Sequence, residues 1–226
     1  MKRLFVTGTD TEIGKTVVAS GLVRAAITAG YRVAGLKPVA AGCETVDGAL
    51  VNDDARELMR ASNVELDYTT VNPIALELPI APHIAAHQAG VSISVGVLKT
   101  HYERNLPDDL DLAVFEGAGG WLVPLNDFET FQDFALRMEL DVVLVVGMKL
   151  GCINHAMLTV RAIRACGLDL LGWIANFPQP TMDVAEENLD TLMRQIDAPL
   201  LGVVPHMDTP DCELVAKHLN IKAIMS

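Results

Sequence analysis

The first seventeen residues, MKRLFVTGTDTEIGKTV, constrain the chain more than any other stretch. Leu4-Phe5-Val6 is a short apolar run of strand formers, and Thr7-Gly8-Thr9 breaks it. Gly14-Lys15-Thr16 then opens an apolar, alanine-rich segment with helical spacing. Strand, glycine turn, Gly-Lys-Thr and helix, in that order, predict a phosphate-binding loop. In such a loop backbone N–H groups and a helix N-terminus face a polyphosphate. The lysine neutralises the β/γ oxygens, and the hydroxyl after it takes a place on Mg²⁺. The usual spacing leaves four residues between the first glycine and Gly-Lys-Thr, but five separate Gly8 from Gly14. Either the loop is one residue longer than usual, or Thr9 takes the position of the first glycine. An additional polar residue there could serve a substrate. The stretch reads as a nucleoside triphosphate site.

With 226 residues, 50% of them hydrophobic and 20% charged, the chain is globular and fits one large or two small domains. A formal net charge of −12 argues against general nucleic-acid or anionic-membrane binding, as does the lack of any Lys/Arg cluster longer than a pair. An anionic nucleotide must therefore be held by local cations. Cys43, Cys152, Cys166 and Cys212 form no CxxC pair, and no signal peptide is evident. Reduced thiols and a cytoplasmic location are expected. The longest aliphatic run, residues 142–146, is far too short to span a bilayer.

Helices are predicted over residues 17–29, 53–61, 83–89, 91–105, 129–138, 154–166, 183–196 and 212–219. Gly30 is the expected C′ residue of the first, and Asn52 or Asp53 the N-cap of the second. Strands follow LFV in residues 31–39, 111–116, 141–146, 168–176 and 200–204; residues 40–52 and 63–82 read as loop or irregular. The third of these strands, DVVLVV, shows no alternation, as expected when both faces are covered. The alternation of strands and helices implies a single α/β domain over residues 1–226, a mostly parallel sheet with helices on both faces. Ligands in such sheets sit at the carboxyl ends of strands. The polar residues that follow strands here are Thr9-Asp10-Thr11, Lys37, Glu116, Lys149 and Asn176.

Lys37, in GLKPVAAG, ends an otherwise apolar strand, and Pro38 favours an extended Lys37. It is either a surface lysine or a second cation at the γ-phosphate. Glu116 ends a hydrophobic strand, the usual place for a metal-binding carboxylate, although Asp is commoner there. The following Gly117-Ala118-Gly119-Gly120 lets backbone N–H groups approach anionic oxygens; a tight turn with an incidental carboxylate is the alternative. Of Asp53 and Asp54, one suffices to cap a helix and the other is free to reach a metal. Residues 151–155, GCINH, precede a helix, where free N–H groups suit a substrate carboxylate. Cys152 reads as an inert thiol. His83 and His87 share a helix face, but HIAAH lacks the glutamate of a zinc-protease helix, so packing is favoured over metal binding.

Taken together, VTGTDTEIGKT (6–16), GLKPVAAG (35–42), VNPIAL (71–76), APHIAA (81–86), EGAGGW (116–121), VVGMKLGCINHA (145–156) and GWIAN (172–176) resemble the dethiobiotin synthetase family. The resemblance runs from end to end. It implies a P-loop NTPase-like α/β fold, usually a homodimer, and an ATP- and Mg²⁺-dependent ring closure in biotin synthesis. CO₂ adds to one amine of 7,8-diaminopelargonic acid, ATP phosphorylates the carbamate, and the second amine closes the cyclic urea, giving dethiobiotin, ADP and phosphate. By resemblance Lys15 and Lys37 flank the carbamate and γ-phosphate, and Thr16, Asp54 and Glu116 hold Mg²⁺. Thr11 lies beside the substrate with Ala41. Glu12, Ile13, Gly14, Lys15, Thr16 and Val17 wrap the phosphates, and Glu116, Gly117, Ala118 and Gly119 approach the γ-phosphate and substrate. Asn176 reads the adenine, with Phe177, Pro205, His206 and Met207 along the base. Gly151, Cys152 and Asn154 bind the substrate carboxylate across the dimer interface.

Some relatives carry Ser in place of Ala41, Asp in place of Phe177 and Tyr near Asn188. Each departure removes an expected contact, to the diamine, the adenine and the carboxylate respectively. No ribose contact is assigned in residues 209–213. Two competitors share the fold. An amide-forming cobyrinic-acid-type synthetase would carry a C-terminal glutaminase domain, which this chain ends too early to hold. A partitioning or septum-positioning ATPase would carry an additional lysine near the start of the loop, and Gly8 to Thr11 contains none.

Overall fold

The computed structural model describes residues 1–168 and 170–225. Asp169, within the predicted strand 168–176, lies outside the described residues. In chain order the first half forms β1 (Lys2–Gly8), α1 (Lys15–Thr28), β2 (Val33–Leu36), β3 (Val39–Ala41), β4 (Glu44–Val46), β5 (Ala49–Val51), α2 (Asp53–Ala61), α3 (Tyr68–Val71), β6 (Ile74–Leu76), α4 (Pro82–Ala89) and α5 (Val95–Asn105). The second half forms β7 (Leu112–Gly120), α6 (Phe131–Met138), β8 (Asp141–Gly147), α7 (Cys152–Ala165), β9 (Leu170–Asn176), α8 (Ala185–Gln195), β10 (Leu200–Val204), α9 (Cys212–Ala216) and α10 (Lys222–Met225).

Six strands pair in the order β10-β9-β8-β1-β7-β2, and every pair is parallel. Successive side chains of a strand point to opposite faces. Leu4 and Val6 therefore join the core shared with α1 and α9, while Phe5 joins the core shared with α5, α6 and α7. Residues Val142, Leu144 and Val146 divide from Val143 and Val145 in the same way, and all five are fully buried. Both faces of the strand are covered, which is why the sequence DVVLVV does not alternate.

The predicted helix 91–105 begins only at Val95, α3 falls in residues that read as irregular and α10 is not among the predicted helices; three further departures concern the strands. The predicted strand 31–39 breaks after Leu36, because Pro38 has no N–H to give and Lys37 N turns to Val71 O at 2.9 Å. The chain then leaves the main sheet and pairs β3 with β6 in a small sheet of its own. The predicted loop 40–52 holds the β4–β5 hairpin, whose turn residues Asp47 and Gly48 take φ of 51° and 82°. Two positive φ values are what a tight hairpin turn demands, and Asp-Gly supplies them. Third, β7 runs on through Gly117–Gly120, and between the Val6–Glu116 and Gly8–Gly120 pairs it carries two more residues than β1.

Both edges of the main sheet are occupied. On β2, Val33 N donates to Asn63 Oδ1 at 2.8 Å and Gly35 N to Ser62 Oγ at 2.9 Å. On β10, Gly202 bridges to Leu219, and Asn220 N donates to Leu201 O at 2.7 Å.

Candidate active site

The loop between β1 and α1 is held from below by one apolar plug. Ile13 is fully buried, and Gly8 and Gly147 leave the room for it. A Cβ on Gly8 would come within 2.8 Å of Ile13 Cδ1, and one on Gly147 within 2.4 Å of Ile13 Cγ2. Asn176 Nδ2 donates to the Ile13 carbonyl at 2.7 Å, so the end of β9 grips the same turn. Gly14 takes φ of 79°, and α1 begins after it with no side-chain cap. The first N–H groups of the helix are thus left for an anion. Lys15 is buried and donates to Asp10 O at 2.7 Å. Burial lowers its pKa to about 8, against the opposing attraction of Glu116.

The second cluster forms where β2 and β7 end side by side. Lys37 Nζ lies 2.7 Å from Glu116 Oε1, 2.9 Å from Asp54 Oδ2 and 3.3 Å from Gly117 O. Thr16 Oγ1 donates to the same Glu116 oxygen at 2.8 Å. Lys37 is 3% exposed, so it is no surface lysine. Burial alone would discharge Lys37, but Glu116 and Asp54 outweigh it and raise its pKa. For Asp54 burial is likewise overcome, chiefly by Lys37, and the carboxyl stays below the ordinary range. For Glu116 burial wins over the pull of Lys37, and the carboxyl is pushed up. Its second oxygen, Oε2, is buried without a hydrogen-bond partner among the described residues. A buried acceptor with no donor, beside a second carboxylate and a hydroxyl, is a hard-oxygen set that suits a divalent cation able to keep water and phosphate ligands. Asn52, not Asp53, caps α2 through Ala55 N, which leaves Asp54 free to face the cluster.

A cavity of about 780 Å³ opens over these groups, lined by Thr11, Glu12, Gly14, Lys15, Thr16, Val17, Lys37, Ala41, Asp54, Glu116, Ala118 and Gly119 among others. A smaller space of about 200 Å³ adjoins it through Glu12, Gly14 and Val17, and is lined by Asn176, Phe177, Pro205, His206 and Met207. Gly119 takes φ of 69°, and a Cβ there would lie 3.6 Å from Thr11 Oγ1, so β7 passes close to the loop. Nearly every predicted nucleotide, metal and acceptor residue is thereby gathered on one side of the sheet. Gly151, Cys152 and Asn154 are not. They stand at the start of α7, outside both cavities, with Gly151 and Asn154 exposed and Cys152 buried. Burial raises the pKa of the Cys152 thiol.

A family model described as an AAA domain matches residues 2–212. The ATP-dependent dethiobiotin synthetase BioD of Cellvibrio japonicus is 49% identical over 224 residues, 99% of this chain and 98% of that relative. The ATP-dependent dethiobiotin synthetase BioD 1 of Escherichia coli O157:H7 is 49% identical over 221 residues, 97% and 98% of the two chains. The chain belongs to the dethiobiotin synthetase family. Among solved structures, a chain of the MinC:MinD cell division protein complex of Aquifex aeolicus matches with a TM-score of 0.57 at 14% identity, covering 100% of this chain and 93% of that one. At that identity the likeness speaks for the fold alone, a P-loop NTPase-like α/β architecture.

Within the dethiobiotin synthetase frame, one residue that shapes the site is absent from the predicted site residues. Asn72 is 2% exposed and donates to Lys37 O at 2.7 Å and Ile74 O at 3.1 Å, while Tyr68 OH donates to its Oδ1 at 2.9 Å. It fixes the backbone that presents Lys37. Asn72 lies in the VNPIAL stretch of the family resemblance, but taken alone an Asn before Pro73 reads equally well as an ordinary turn, and nothing in the sequence ties it to Lys37. The departures also find places. Asn188 donates back to Val184 O within α8. In residues 209–213, Asp211 caps α9 and Glu213 pairs with Arg24.

Proposed function

We propose that this chain is an ATP- and Mg²⁺-dependent dethiobiotin synthetase of biotin biosynthesis, which closes the ring of 7,8-diaminopelargonic acid with CO₂. The observation that carries the reading is the Lys37–Glu116–Asp54 cluster, one hydroxyl away from the phosphate loop, in a chain of this family. One amine of the substrate attacks CO₂ and loses a proton, giving a carbamate. A carbamate oxygen attacks the γ-phosphorus of ATP and ADP leaves. The second amine attacks the carbonyl carbon of the mixed anhydride and phosphate leaves, which yields the cyclic urea of dethiobiotin. No step needs an oxidant or reductant.

The protein's work in this sequence is to place and neutralise charge. Lys15 and the free N–H groups of α1 take the β- and γ-phosphates. Lys37 meets the charge that builds between carbamate and γ-phosphate. Thr11 and the backbone at Gly119 bracket the acceptor. Thr16, Asp54 and Glu116 are the residues to hold Mg²⁺, which supplies neutralisation of the phosphate oxygens when bound. Asn176, Phe177, Pro205, His206 and Met207 form the seat of the base. Gly151, Cys152 and Asn154 are assigned to the substrate carboxylate in the neighbouring subunit of a homodimer. Support comes from their standing outside the lining of both cavities and from the exposure of Leu150 and Leu158 on either side, 97% and 58%. We also read the chain as one domain and as cytoplasmic.

The test is a turnover assay with purified protein. Dethiobiotin should form from diaminopelargonate, bicarbonate and ATP, and ADP release should stay low until both diaminopelargonate and bicarbonate are present. Equal ADP release without them would overturn the synthetase reading.

A further inference from the structure

Lys149 stands just past β8, and its two ends serve different partners. Its carbonyl accepts Cys152 N at 3.0 Å, which closes the turn into α7. Its ammonium reaches across to Asp10 Oδ2 at 2.8 Å. The other carboxylate oxygen of Asp10 accepts Thr11 N at 2.8 Å, and the Asp10 carbonyl accepts Lys15 Nζ at 2.7 Å. His155, one turn into α7, stands 4.0 Å from the same Asp10 oxygen. Asp10 thus holds Thr11 and Lys15, two of the residues that line the cavity, and is gripped from outside by Lys149.

The pair is 38% and 40% exposed, and ion pairs so open to water add little to stability. The long loop gives it another use. Thr9 is tied to Val145 O and Ile13 is plugged into the core, but between them the backbone runs through Glu12 at φ of 57°. Nothing but the Asp10 carboxylate fixes the direction of Thr11 N among the described hydrogen bonds. We infer that Lys149 is a positioning residue. Through Asp10 it aims Thr11 at the acceptor amine and couples that aim to the turn at the start of α7. The inference rests on the synthetase reading above, with Thr11 beside the diamine.

The experiment compares wild type, Lys149→Met, Lys149→Arg, Asp10→Asn and the Lys149→Met/Asp10→Asn double variant. Steady-state kinetics, ATP binding and thermal unfolding are measured for each. Lys149→Met should raise KM for diaminopelargonate about tenfold while ATP affinity stays within twofold and the melting temperature holds. Lys149→Arg should recover KM to within threefold, and the double variant should be no worse than the poorer single one. A KM within twofold of wild type in Lys149→Met would overturn the positioning role, as would a matching fall in ATP affinity or additive losses in the double variant. Wild type that makes no dethiobiotin would overturn the synthetase reading, and this inference with it.

Discussion

Two buried lysines meet at this site in opposite electrostatic states. Lys37 has carboxylates on two sides and holds its proton firmly; Lys15 hydrogen-bonds only a carbonyl among the described residues and, with its pKa near 8, sits at the edge of losing its own. In the proposed complex Lys15 meets the phosphates, and only its ammonium form neutralises them. Its pKa in the free protein is about 8, and a polyphosphate beside it raises that value in the complex. Between the two pKa values nucleotide binding must take up a proton, and affinity must fall as pH rises above about 8. Calorimetric titration with ATP at pH 8.5, in two buffers of different ionisation enthalpy, should show uptake of most of one proton. The uptake should vanish at pH 7 and in Lys15→Met. The lysines themselves were legible, Lys15 from its motif and Lys37 from its odd place after apolar residues. Their difference was not, because it depends on which oxygens lie within 3 Å, and residues 37, 54 and 116 are far apart along the chain.

At the scale of elements, the site depends on a broken strand. The sequence reads residues 31–39 as continuous, and the break after Leu36 is what frees Lys37 to turn toward Glu116. Asn72 stabilises that break with three hydrogen bonds in a buried setting. Asn72→Ala leaves two carbonyls and a hydroxyl without this partner, at about 1–3 kcal/mol for each buried group left unpaired. Urea unfolding should show a loss of about 3 kcal/mol, and turnover should fall with nucleotide binding retained. The helices and main strands were readable because periodicity and glycine stops are local signals. Gly30, for instance, ends α1 at φ of 95°, where the sequence puts its C′ residue. The β4–β5 hairpin was missed although Asp47-Gly48 announces it, because its flanks lack the alternation that marks a strand. The small β3–β6 sheet was missed because parallel pairing between distant segments leaves no local trace.

For the whole molecule, the proposed homodimer assigns each active site residues from two chains. A Lys15→Ala protein and an Asn154→Ala protein should each be nearly inactive. Mixed dimers purified with two affinity tags should regain up to about half the wild-type activity per dimer, since one of the two sites is then intact. Verified heterodimers with no recovery would place the carboxylate contact elsewhere. That residues 151–155 suit a carboxylate is legible from their place before a helix, but that the carboxylate belongs to the partner's site rests on family resemblance, because those residues lie outside the cavities of their own chain.

The occupied edges of the sheet bear on a different matter, how so apolar a chain keeps the strands of other copies off its sheet. An open edge of a parallel sheet is a template on which another molecule can add a strand, and a protein with 50% hydrophobic residues is at risk of it. Here the outward N–H groups of Val33, Gly35 and Lys37 are already taken by Asn63, Ser62 and Val71, and Pro38 offers none. The far edge is closed by Leu219 and Asn220. The Lys37-Pro38 step therefore serves twice: it turns a cation toward Glu116 and Asp54, and it ends the sheet where a stray strand would otherwise begin.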